Sequence, residues 1–155
     1  MNFRISGLSA QPFLHLYGLA DEALRARGVE RWVADAGQSL PDRIEMRDAG
    51  PGEKLLLLNY LHQPADNPYR SSHAIFVLEG ATAAYSAVDA VPQVLRVRPL
   101  SLRAFDRDHR MVDADIVAGA DLEGLVWRLL ERPSVAYIHA HYARRGCYAA
   151  RIDRA

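Results

Sequence analysis

The feature that most constrains this chain is the run Leu55-Leu56-Leu57-Leu58-Asn59-Tyr60, which is apolar at consecutive rather than alternate positions. A strand sends successive side chains to opposite faces, so a run of this kind must be covered on both sides and belongs inside a layered fold. A second apolar run, His73 to Leu78, follows it. Between them, Gln63-Pro64-Ala65-Asp66-Asn67-Pro68-Tyr69-Arg70-Ser71 carries two prolines and several turn formers. These cannot join a ladder, and they predict a loop longer than a hairpin needs, a common setting for function. Asn59 and His62 place polar groups on this strand, and the expected reason is a hydrogen bond to the neighbouring strand.

The flanking sequence supplies the rest of a layered domain. Phe3 to Ser6, Val29 to Asp35 and Ile44 to Arg47 read as short strands, with brief helices around Pro12 to Leu16 and from Asp21 to Arg27. Arg98 to Phe105 and Arg110 to Val117 predict a hairpin in which Leu100, Leu102 and Ala104 share a face with Val112, Ala114 and Ile116. That parity calls for an odd loop, Arg107-Asp108-His109, and sets Arg103 opposite or diagonal to Asp113 as a cross-strand ion pair. Leu122, Leu125, Val126, Leu129 and Leu130 form one helical stripe over 121–131, capped by Asp121. Val135 to His141 and Cys147 to Ile152 are the last strands, and Trp32 and Trp127 are expected in the core. The fold class is α+β: a mixed, mainly antiparallel sheet with the 121–131 helix on one face and short N-terminal helices, in a single domain over 1–155.

Charge narrows the function. Lys plus Arg and Asp plus Glu are 19 each, so no global field favours nucleic acid or an anionic membrane as partner. Phosphate-binding glycine motifs are absent, so no nucleotide cofactor is implied. One cysteine and the lack of an apolar leader suggest a reducing, cytoplasmic setting, and no apolar stretch approaches the ~20 residues of a membrane helix.

Three groups could carry chemistry. His139 and His141 lie two apart at a strand end, with Cβ atoms roughly 7 Å apart on one face, near enough for both imidazoles to reach one metal. A third ligand, such as His73, His62, Asp113 or Asp153, would have to come from another strand, and the plainer expectation is local hydrogen bonding. Cys147 could be a nucleophile if His141 or His73 held it as thiolate, although an isolated cysteine among Tyr148, Ala149 and Ala150 is more often a small buried hydrophobe. Arg70, Ser71, Ser72 and His73 offer a cation, two hydroxyls and an imidazole suited to an anion, or else simply tie down the loop.

The segments 55–60, His62 to Asp66 and Pro68 to Val77, continuing through Leu100 to Asp106, Met111 to Asp115, Ala136 to His141 and Gly146 to Arg151, resemble a small bacterial family known only as a domain of unknown function, DUF1203. The resemblance spans nearly the whole chain and implies a free-standing bacterial domain, with no activity or ligand attached. At His109 the chain departs from it, since the hairpin turn in such sequences tends to carry glycine.

The leading expectation is a module for a small anionic or polar ligand, formed by Arg70, Ser72 and His73 meeting His139, His141 and Arg151. The alternatives are an enzyme using Cys147, or a divalent metal on His139 and His141, with His73 as acid or base, and a structural or partner-binding protein without a pocket.

Overall fold

The computed structural model describes residues 1–155. The protein is α+β, and its strands form two sheets rather than one. The strands are β1 (Phe3–Ser6), β2 (Glu30–Val33), β3 (Lys54–Gln63), β4 (Ser71–Leu78), β5 (Ser86–Val88), β6 (Pro99–Phe105), β7 (Met111–Ala118), β8 (Tyr137–Tyr142) and β9 (Tyr148–Arg154). The large sheet runs β5-β1-β9-β8-β6-β7 and the small one β2-β3-β4, with every strand pair antiparallel. The helices are α1 (Asp21–Arg25), α2 (Gln93–Arg96) and α3 (Leu122–Leu130), with a 3-10 helix at Gln11–Leu16 and a 3-10 turn at Gly119–Asp121 leading into α3. No helix is long and apolar enough to cross a membrane.

Two cores follow from this layering. On one face of the large sheet, Leu122, Leu125, Val126 and Leu129 of α3 pack on Leu100, Leu102, Ala104, Ile138, Ala140 and Ile152. This is the predicted apolar stripe, although Asp121 makes no side-chain cap. The second core joins Leu56, Leu58, Ile75 and Val77 of the small sheet to Tyr148 of the large one, under Phe13, Leu16 and Leu24 of the N-terminal helices. The double coverage expected of 55–58 is therefore met at Leu55, Leu56 and Leu58, all buried.

Several local expectations are corrected. Residues 44–47 form no strand; the segment is anchored instead by single bridges, Pro41 to Asp48 and Asp42 to Phe76. Trp32 and Trp127 are 37% and 46% exposed, their rings lying against Phe76 and Phe3 at the molecular surface. Asn59 faces solvent.

The β6–β7 hairpin differs in register. Its turn is as expected: Asp106 N–H bonds Arg110 O across three loop residues, with His109 in the left-handed region at φ 60°. Phe105 then pairs with Met111 but Ala104 with Asp113, so one extra residue, Val112, enters β7 as a bulge and reverses the parity of everything beyond it. Leu102 consequently opposes Asp115 and Arg103 opposes Ala114. Asp113 and Asp115 turn toward α3, where Asp113 bonds Arg132 and Asp115 bonds Arg128. The expected Arg103–Asp113 pair does not form.

Candidate functional site

The site is built where the two sheets face each other. In β8 the odd residues Tyr137, His139 and His141 point away from the α3 core, while Ile138 and Ala140 point into it. Arg103 and Ser101 of β6 lie directly across from His139 and His141 on the same face. The small sheet contributes His73, opposite Tyr60 on β4 and β3. A second bulge, between Leu61 and Gln63, turns both His62 and Gln63 inward. Gln63 Nε2 donates to Tyr137 Oη at 2.9 Å across the sheets, and His62 inserts between His73 and Tyr148, stacking at 5.2 and 5.3 Å between ring centroids.

Four of the six histidines thus share one pocket of side chains. His62 Nε2 and His73 Nδ1 are 3.1 Å apart. His141 Nδ1 lies 2.9 Å from Gly146 O and so donates to it, which leaves Nε2 with a free lone pair. Candidate ligand nitrogens of His62, His73 and His141 all lie within 4.8 Å of one another. His139 stands against His62 and Tyr148, and its Nδ1 is buried without a partner, as is His62 Nδ1.

Burial keeps these rings neutral. It lowers His139 and His141 to about 3 and His62 to about 4, and lowers His73 as well. The positive charge of Arg103 acts in the same direction on all four. A neutral imidazole is the form that binds a metal ion.

A cleft of about 290 Å³ opens beside the cluster, lined by His62, Gln63, Pro64, Ala65, His109, Tyr137, His139 and Arg151. His109 Nδ1 lies 2.8 Å from Tyr137 Oη. Asn67 bonds the carbonyls of Asp108 and His109, holding the 64–70 loop against the hairpin turn to form the rim.

Of the residues singled out in the sequence, His73, His139, His141 and Arg151 come together here. Arg151 is held in two places by Asp153 and lies over the Tyr137 ring, 4.1 Å from its centroid. Arg70 does not join them; it donates to Pro64 O within the loop. Ser72 is exposed, on the face of β4 opposite His73. Cys147 packs with the α3-side core, and its Sγ accepts from Arg43 Nη2 at 3.1 Å. Arg43 is buried and also bonds the carbonyls of Pro41 and Tyr148, tying the 41–48 segment to β9.

His62, weighed in the sequence only as one possible third ligand, is a core member of the site, and Arg103, expected to pair with Asp113, was missed. The inward turn of His62 depends on a bulge, a one-residue irregularity without a residue signature of its own, while a bulge on β7 takes Asp113 away from Arg103.

Fold and site together define a two-sheet α+β protein with a buried cluster of neutral histidines at the junction of its sheets. The chain belongs to the family described as protein of unknown function (DUF1203), whose model matches residues 39–154 and so takes in every residue of the cluster. No curated protein and no solved structure is significantly similar to it.

Proposed function

We propose that the protein binds one divalent transition-metal ion through His62, His73 and His141, leaving at least one coordination position open to a small ligand. The observation that carries this reading is the convergence of three neutral imidazoles, from both sheets, with ligand nitrogens within 4.8 Å of one another. Tetrahedral nitrogen ligands at ~2.1 Å from zinc are ~3.4 Å apart, so the 3.1 Å His62–His73 spacing needs only a small opening to admit the ion. Gly146 O supplies the outer hydrogen bond that fixes a ligating ring, orienting His141 through its Nδ1–H.

Three protein ligands are the complement of a reactive or ligand-binding centre, whereas structural zinc sites close with four. His139, beside the cluster and on the cleft, stands there as a neutral imidazole, a hydrogen-bonding partner rather than a proton carrier for whatever occupies the open position. The test is to strip the protein with chelator, add Zn²⁺ or Co²⁺ and measure bound metal. One ion per chain is expected. His73→Ala should weaken binding at least tenfold, while His15→Ala, an exposed position on the N-terminal 3-10 helix, should leave it unchanged. A stoichiometry near zero in the unaltered protein would overturn the proposal.

A further inference from the structure

Arg103 is the one guanidinium that the fold delivers to the cluster without a counter-charge. On β6 it stands directly opposite His139 of β8, two residue pairs along the ladder from His141. Its single side-chain hydrogen bond is a long one, from Nε to Ser101 Oγ at 3.4 Å. The carboxylates on the neighbouring strand are spent elsewhere: the Val112 bulge turns Asp113 and Asp115 to Arg132 and Arg128. The other arginine at the site, Arg151, is neutralised by Asp153. A half-buried guanidinium with free donors and four uncharged imidazoles around it therefore awaits an acceptor.

Charge counting extends the argument and rests on the metal reading above. Three neutral histidines do nothing to offset a divalent ion, and Arg103 adds a third positive charge in the same partly desolvated space. An enclosed excess of this size demands an anion, and the planar fork of arginine matches the two oxygens of a carboxylate. We propose that the open position of the metal centre takes a small carboxylate, one end of which is held by Arg103. A cleft with no carboxylate in its lining adjoins the cluster through His62 and His139.

The Co²⁺-loaded protein tests this, because cobalt absorption in the visible reports directly on what enters its coordination shell. Acetate is the probe. Titration should shift the visible band of the wild-type protein to saturation. Arg103→Met, which keeps much of the stem volume, should bind Co²⁺ at unchanged stoichiometry yet need at least tenfold more acetate. Arg103→Lys, which keeps the charge without the fork, should fall between the two and guards against a misfolded methionine variant. An acetate response in Arg103→Met equal to wild type would overturn the assignment. So would equally tight acetate binding to metal-free protein by calorimetry, which would place the anion away from the ion. Failure to take up Co²⁺ appears before any acetate is added, and would count against the metal centre itself.

Discussion

At the scale of single residues, the cluster concentrates titratable groups that the fold keeps uncharged. In the metal-free protein, His62 is held at about 4 and His139 and His141 at about 3, chiefly by burial. The unfolded chain titrates these side chains near ~6.5. With folded values depressed, the unfolded state binds more protons below that pH, so their contribution to stability is complete above ~6.5 and is lost as pH falls toward 4. Urea midpoints of metal-free protein should therefore drop between pH 6.5 and 4, and His139→Phe should flatten that slope. An equal slope in the variant would show that other groups govern the acid limb. The residue identities of the site were half legible: His139 and His141 announce a shared face by their spacing, and His73 marks a strand start. Arg103 gave no such sign, because its expected partner Asp113 is removed by an extra residue on another strand.

At the scale of elements, the legible parts were those with a strong period. The stripe of α3 and the run through 55–58 describe their own burial, whereas the odd hairpin loop, though found, was inferred from a coincidence of apolar faces that the Val112 bulge removes. What periodicity could not show was the three register shifts, in β3–β4, β6–β7 and β8–β9, since all hold ordinary residues and alter only the count. Close approach of backbones is similarly silent. Gly119, where the chain leaves β7 for α3, is such a place: a Cβ there would lie 1.9 Å from Leu95 O and 2.7 Å from Arg98 O. Gly119 N–H also bonds Arg98 O, so the two segments cannot simply part. Gly119→Ala should cost at least ~2 kcal/mol in urea unfolding, beyond any gain from a stiffer unfolded chain. Gly124→Ala, within the helix and with open space around the new methyl, should be neutral or stabilising by up to ~1 kcal/mol.

At the scale of the whole molecule, a single mixed sheet was expected and two antiparallel sheets were found. Strand order over such distances is decided by which faces can be covered, and the chain covers Leu56, Leu58, Ile75 and Val77 with Tyr148 and the N-terminal helices rather than by extending one sheet. The candidate ligands then come from three strands, His62 on β3, His73 on β4 and His141 on β8, so no part of the chain can assemble the site alone. The consequence is kinetic. An ion that needs both sheets in place cannot assist the encounter that brings them together, but it must be released before they separate. Saturating Zn²⁺ should therefore leave the refolding rate nearly unchanged and slow unfolding, by about a hundredfold when the free ion stands at a hundred times its dissociation constant. Stopped-flow unfolding with and without the ion would show this; a faster refolding limb instead would mean that the histidines meet before the sheets do. In this sense the junction between the sheets is a latch, set only after the door has closed.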